Sequence, residues 1–262
     1  MIDWLLNLPV PWLALIIFVA TYLGAAGVYF IVTGLAVDER ARAFKALSPG
    51  MLPPLGIIFG LLVGFIAAQV WSDFERAKVA VGTEATALRS VVLLAEVFPE
   101  EQQARFRALI NRHIDESVNE EWPKLARGHA TLTGLPSSLR EALKSALVLA
   151  PADEAQRMAR GEIITALEHA LDARRQRIIV SQSSVSPIKW VALLLQALCA
   201  LVAIAMVHSD NRLTCGIALT IFATGIALSL VLIAAYSHPF HSVGPGLLTQ
   251  VIAGEGPLGT GR

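Results

Sequence analysis

Four long runs of apolar residues constrain this chain more than any other feature. They are Val10–Ala36, Met51–Trp71, Trp190–Val207 and Leu213–Tyr236. Each run is about long enough to cross a hydrocarbon core of ~30 Å at a rise of ~1.5 Å per residue. Because no run contains a charged side chain, the sequence predicts four transmembrane helices.

The composition agrees with a membrane protein and excludes several other classes. The chain is 55% hydrophobic and only 16% charged, and it has 21 basic and 21 acidic residues. Such a balance offers no overall positive charge to attract nucleic acid. Cys199 and Cys215 both lie in apolar runs, which favours buried thiols over a disulfide or a metal site. No nucleophile, phosphate-loop or zinc-protease motif occurs, so we expect no catalytic residue, no cofactor and no metal.

The segment between the second and third runs is polar and has helical periodicity. Its apolar residues recur three, four or seven positions apart, and no strand-like alternation is present. The sequence therefore predicts an all-α membrane protein with a helical domain inserted between the second and third transmembrane helices. The predicted divisions are 1–71 with an interfacial N-terminal segment, 72–187 for the helical domain, 188–237 for the last two spans, and 238–262 for a C-terminal tail.

Basic residues near the membrane ends predict the orientation. Six lie on the side of the inserted domain and four on the other side, and positive charge is enriched in the cytoplasm. We therefore expect the domain and both termini to be cytoplasmic, in a plasma (bacterial inner) membrane. The six are Arg76, Lys78, Arg174, Arg175, Arg177 and Lys189, and the four are Arg40, Arg42, Lys45 and Arg212.

The second run carries two rows of residues at a spacing of four. The bulky row is Ile57, Leu61 and Phe65, and the glycine row on the adjoining face is Gly56, Gly60 and Gly64. Glycines at this spacing let another helix approach closely. In a ring of identical subunits, the bulky row could line a narrow apolar constriction that gates ions by dewetting. The alternative is that the bulky row faces lipid or protein, as apolar residues of membrane helices usually do.

The same stretch continues into a charged segment without a turn signal. After Trp71 the chain reads SDFERAKVAVGTEATALRS, which favours helix throughout. We expect one helix that crosses the membrane and then extends into the cytoplasm.

The stretch LGIIFGLLVGFIAAQVWSDFERAKVAVGTEATALRS resembles the bestrophin superfamily. The matching positions, set without gaps, are Gly64, Phe65, Ala77, Lys78, Gly82 and Arg89. His238-Pro239-Phe240 resembles the Asn-Pro-Phe turn of that family, and Glu121-Trp122-Pro123 is similar to an element of a bacterial bestrophin-like branch. The resemblance implies a pentameric ion channel whose neck is formed by Ile57, Leu61 and Phe65. The acidic calcium-binding run of animal members is replaced here by HSVGPGLL, so no calcium cofactor is implied.

An acidic patch in the inserted domain has two interpretations. Asp115, Glu116, Glu120 and Glu121 could form an acidic ring in a cytosolic vestibule, which would favour cations. The alternative is a structural corner, in which Trp122 packs, Pro123 kinks the helix and the carboxylates face water. Pro239 and Phe240 would form a second structural turn.

Three functions remain open from the sequence, and the weakest is a lipid-associated enzyme, which would need a buried polar cluster facing the membrane. The first is a homo-oligomeric, pentameric channel whose partners are its own copies, the bilayer and permeant ions. The alternative is a membrane-anchored scaffold or sensor whose helical domain binds a partner without conduction.

Overall fold

The computed structural model describes residues 8–36, 44, 50–132, 134–183 and 185–253. These residues form helices joined by short connections, and no strand occurs among them. The helices are α1 (Val10–Leu35), α2 (Leu52–Ala95), α3 (Glu100–Glu116), a π-helical turn (Ser117–Glu121), α4 (Trp122–Ala126), α5 (Ser137–Val148), α6 (Glu154–Ser181), α7 (Pro187–Val207), α8 (Arg212–Tyr236), α9 (Pro239–Ser242) and α10 (Gly246–Ala253).

Four helices have the length and composition needed to span a membrane, namely α1, α2, α7 and α8. The predicted all-α class with four spans is therefore confirmed. Local chemistry accounts for where α7 and α8 begin. Pro187 occupies the first turn of α7, where a missing N–H costs nothing. The Asn211 side chain accepts hydrogen bonds from the backbone N–H groups of Leu213 and Thr214 at the start of α8.

The chain divides into two compact units, each with its own core. The first unit comprises residues 1–71 and 184–237, and the second comprises 72–183 and 238–262. The division falls inside α2, between Trp71 and Ser72. Residues 1–7 of the predicted interfacial segment and residues 254–262 of the predicted tail lie outside the described residues. So do Arg40, Arg42 and Lys45, which entered the orientation prediction.

In the first unit, α8 packs against both α1 and α7. Buried apolar side chains at helical spacing fill the contact, among them Leu13, Leu193, Leu219, Ile226 and Ile233. The first half of α2 joins this unit, since the rings of Phe59 and Phe222 lie 6.0 Å apart. Near the end of the same half, Lys189 of α7 donates a hydrogen bond to the side-chain oxygen of Gln69.

In the second unit, the second half of α2 packs in a core with α3, α5 and α6. Fully buried members of this core include Val81, Leu88, Ile110, Leu139 and Leu167. The segment after α8 belongs to the same core, because Phe240 and Leu248 are buried in it.

The Glu-Trp-Pro element widens the helix instead of ending it. Residues 100–126 remain helical, and a π-helical turn precedes α4. The N–H of Trp122 bonds to the carbonyl of Ser117, five residues earlier. Pro123 then occupies the first turn of α4, where its missing N–H is tolerated. A π turn of this kind frequently marks a functional position in a helix.

Candidate functional site

The first half of α2 buries one face and leaves the opposite face exposed. Phe59, Ile66 and Val70 form the buried face. At about 100° per residue, the bulky row lies on the opposite side of the helix. The exposed fractions of Ile57, Leu61 and Phe65 are 64%, 55% and 73%. The row is thus available for contacts outside the protomer.

The glycine row is also open within the protomer. Gly56, Gly60 and Gly64 are exposed, and a Cβ atom built on any of them would meet nothing within 4 Å. No described residue therefore uses the close approach that these glycines permit. The packing role of the glycine row and the neck role of the bulky row both stay predictions.

The predicted continuity of the second span is confirmed, because α2 is one helix of 44 residues. Its second half presents a buried stripe of Ala77, Val81, Leu88 and Val91 to the second unit. One acidic residue, Glu84, falls within this stripe and is fully buried. An ionised carboxylate in a protein interior requires paired charges and hydrogen bonds.

Glu84 is held in a cluster of five charged or titratable side chains, which we call the charge cluster; three of them are buried and two are partly exposed. Its members are Glu84 of α2, His113 of α3, Glu121 of the π turn, and Arg174 and Arg177 of α6. Glu84 Oε1 lies 3.0 Å from His113 Nε2, and Glu84 Oε2 lies 3.2 Å from Arg177 Nη1. Glu121 Oε2 accepts a hydrogen bond of 2.6 Å from Arg177. Its other oxygen accepts one of 2.8 Å from Arg174 Nε.

The charge cluster is electrically balanced, and only Glu121 and Arg174 among its members are partly exposed. Its two carboxylates face two guanidinium groups, so the charges cancel when the imidazole is neutral. The Arg177 guanidinium also lies over the ring of Trp122, 5.4 Å from its centroid. The ring of Phe240 in turn contacts the ring of Trp122 edge-on, with 5.6 Å between the two ring centroids. Trp122 and Phe240 therefore connect the Glu-Trp-Pro element to the Pro-Phe element.

The acidic residues predicted for a vestibule have different environments. Glu121 is paired with two arginines, and Glu116 accepts a hydrogen bond of 2.9 Å from Ser138. Asp115 and Glu120 are exposed. The role of the four in a vestibule stays a prediction, and the geometry favours Asp115 and Glu120 as its solvent-facing members.

The sequence reasoning overlooked Glu84 and counted Arg174 and Arg177 as charges near a membrane end. The helical periodicity of the sequence does indicate that Glu84 and Arg177 lie on buried helix faces. Glu84 lies at the helical position between Val81 and Leu88 of an apolar stripe, and Arg177 follows Ala170 by seven residues. A charged residue on the buried face of an amphipathic helix indicates a buried partner of opposite charge.

Together, these features define an all-α multi-pass membrane protein whose helical second unit contains the charge cluster. No cluster of His, Cys, Asp or Glu capable of holding a metal occurs among the described residues. The chain belongs to the bestrophin-like family, because the model of the bestrophin-like domain matches residues 19–243. The resemblance drawn from the sequence is thereby confirmed. The family is one of membrane channels rather than of enzymes. No curated protein and no solved structure matches the chain.

Proposed function

We propose that the protein is a homo-oligomeric, pentameric ion channel in which α2 lines the central axis. Ile57, Leu61 and Phe65 form its apolar neck, and the glycine row packs against a helix of the neighbouring subunit. The observation that carries the proposal is the exposure of both rows on α2. A bulky row of 55% to 73% exposed side chains stands beside a row of glycines without neighbours.

The glycine row favours this arrangement over simple contact with lipid. A glycine facing lipid contributes no side-chain contact, whereas a glycine facing a helix lets two backbones approach and gain van der Waals contact. Packing the glycine row against a neighbouring subunit turns the bulky row of each copy towards a shared axis. A ring of such rows excludes water from a narrow passage.

The inserted helical unit supplies a cytosolic vestibule in this proposal, with Asp115 and Glu120 exposed to permeant ions. The domain and both termini lie in the cytoplasm, and the membrane is the plasma membrane. Support for this orientation comes from the basic residues near the membrane ends. Arg174 and Arg177 are neutralised by largely buried ion pairs in the folded chain, so the exposed or half-exposed charges on that side are Arg76, Lys78, Arg175 and Lys189.

The test is conduction by the purified full-length chain in planar bilayers. Replacing Ile57, Leu61 and Phe65 together by alanine widens the neck, and we expect a larger conductance than that of the unchanged protein. The matched control replaces three equally exposed apolar residues of α1 by alanine, namely Leu23, Phe30 and Ile31. Particle images establish that both variants assemble.

Two results would overturn the proposal. The first is an assembled neck variant whose conductance equals that of the α1 control. The second is a dimer or monomer with no central passage, which would support the scaffold or sensor function instead.

A further inference from the structure

An open groove lies between α1 and α8, beside the first turns of α8. It consists of two adjoining cavities of about 580 Å³ and 260 Å³, and both are lined by Tyr29, Gly216 and Thr220. The rest of the lining is apolar except for Tyr22 and Arg212. The groove belongs to the first unit, and the proposed neck on α2 does not use it.

Arg212 brings an unpaired positive charge to the groove. Its side chain is exposed, and its guanidinium forms no hydrogen bond or ion pair with a described residue. A guanidinium carries five N–H donors and no acceptor, and its shape matches that of a phosphate or carboxylate. The groove therefore has a binding group for an anion at the level where α8 begins.

The neutral polar groups of the groove differ in their hydrogen bonding. The Thr220 hydroxyl donates to the carbonyl of Gly216 at 2.8 Å. The Tyr22 hydroxyl lies 2.8 Å from that of Thr224. The Tyr29 side chain is half-buried, and its hydroxyl has no hydrogen-bond partner in the described part of the chain. One phenolic O–H is thus unpaired in the cavity that the guanidinium also lines.

The groove extends from the end of a membrane span towards its middle. Arg212 is the first residue of α8, and no charged residue follows it within that helix. An arginine at this position reaches the headgroup layer of a bilayer, where tyrosine is also enriched. From Arg212 to Thr220 the groove follows α8 for about 12 Å, which leads into the hydrocarbon layer. A ligand that fills the groove therefore has an anionic end and an apolar remainder.

Charge complementarity favours a lipid over a second copy of the chain. A transmembrane helix of another copy could pack on Gly216 and Thr220, because small residues permit close approach. The four apolar runs contain no acidic side chain, so such a helix leaves Arg212 without a counter-charge. A phospholipid of the surrounding bilayer supplies a phosphate and an acyl chain in one molecule, and basic pockets between transmembrane helices bind such headgroups.

We propose that the groove binds an anionic phospholipid. Its phosphate accepts hydrogen bonds from the Arg212 guanidinium and the Tyr29 hydroxyl, and one acyl chain lies along Gly216 and Thr220. A zwitterionic headgroup carries its own cation near the phosphate and therefore pairs less well with Arg212. Because the lipid contacts both α1 and α8, its binding strengthens the contact between these two spans.

The test is titration of the purified full-length protein in detergent micelles, with bound lipid counted by native mass spectrometry. The probes are dioleoylphosphatidylglycerol and dioleoylphosphatidylcholine, which share acyl chains and phosphate but differ in net charge. We expect saturable binding of both, with phosphatidylglycerol about fivefold tighter because one basic residue attracts its anionic headgroup. Glycerol 3-phosphate has the anion without the chains, and we expect no saturable binding of it at millimolar concentration.

The first variant tests the charge. Arg212→Gln removes the cation but keeps much of the side chain. We expect phosphatidylglycerol to bind this variant about fivefold more weakly, so that it no longer binds better than phosphatidylcholine. The matched control is Arg175→Gln, which removes an exposed arginine of α6 that does not line the groove. The control retains the preference of the unchanged protein.

The second variant tests the groove. Gly216→Leu places a side chain where an added Cβ meets nothing within 4 Å, and we expect it to lose saturable binding of both lipids. The matched control is Gly225→Leu on the same helix. Gly225 also has open space around an added Cβ, and its carbonyl likewise accepts a hydrogen bond from a hydroxyl four residues later. It does not line the groove, so the control binds both lipids as the unchanged protein does.

Four results would overturn the proposal. Equal affinity of the two lipids for the unchanged protein means that the charge plays no part. Saturable binding of glycerol 3-phosphate means a site for a free anion. A changed oligomeric state of Gly216→Leu with lipid binding intact means that a second copy fills the groove. Equal losses in the two leucine variants mean non-specific contact of lipid with the protein surface. None of these measurements involves conduction, so the proposed channel function can fail without affecting them.

Discussion

Replacing Arg177 by methionine is the most direct test of the charge cluster. The guanidinium is fully buried and contacts three groups: the carboxylates of Glu84 and Glu121, and the face of the Trp122 ring. Methionine retains the length and the apolar stem of the side chain but removes the charge. The substitution leaves Glu84, itself fully buried, with only a histidine as its partner.

The expected cost follows from that geometry. Removing one partner of a buried ion pair leaves the other charge uncompensated in the interior, which lowers the free energy of unfolding by about 3–5 kcal/mol. Arg174 still neutralises Glu121, so the loss falls mainly on Glu84. For a chain of this size, the cost corresponds to a decrease in melting temperature on the order of 10 °C.

Thermal unfolding of the full-length protein in detergent, followed by tryptophan fluorescence, measures this loss. The matched control is Arg175→Met, because Arg175 lies two residues earlier on α6 and is exposed. We expect the control to remain within about 2 °C of the unchanged protein. If Arg177→Met unfolds at the same temperature as the control, the charge cluster contributes no net stability and the reasoning is wrong.

A double substitution distinguishes loss of the pair from loss of packing. Glu84→Gln removes the charge that Arg177→Met leaves unpaired. We expect the double variant to lose less stability than the sum of the two single variants, because contacting groups are coupled. Additive losses would show that the two side chains act independently.

Two further substitutions test the surfaces of α2 and the contact of the Pro-Phe element. Gly60→Leu adds a side chain in open space, so we expect a folded protomer that fails to assemble, as measured by size-exclusion chromatography. The control Gly34→Leu, at an exposed glycine of α1, should assemble normally. Equal assembly of both variants would contradict the packing role of the glycine row. Phe240→Ala removes a buried ring that contacts Trp122 and should destabilise the protein by about 3–5 kcal/mol, measured as a lower melting temperature. An unchanged melting temperature would show that this contact is dispensable.

The membrane-spanning part of the fold could be predicted because a bilayer imposes local requirements. Every backbone polar group of a span must be satisfied within its own helix, so length and hydropathy alone identify it. The continuity of α2 could also be predicted, since helix-favouring residues follow Trp71 without a turn signal. The family was also recognisable from the residues of α2 and from the Pro-Phe element.

The second unit was only partly predictable. The helical periodicity of this segment indicated helices with one buried face, and the structure buries Phe106 and Ile110 of α3 and Ile163 and Leu167 of α6. An apolar stripe does not indicate which other helix will pack against it. The ion pairs of Glu121 could therefore not be predicted, because its partners Arg174 and Arg177 lie more than 50 positions further along the chain.

By itself, the sequence determined where helices form and which of them can reside in a bilayer, because periodicity and hydropathy act over neighbouring residues. The tertiary structure alone decided that Glu84, His113 and Arg177 meet, because buried charges select their partners through space.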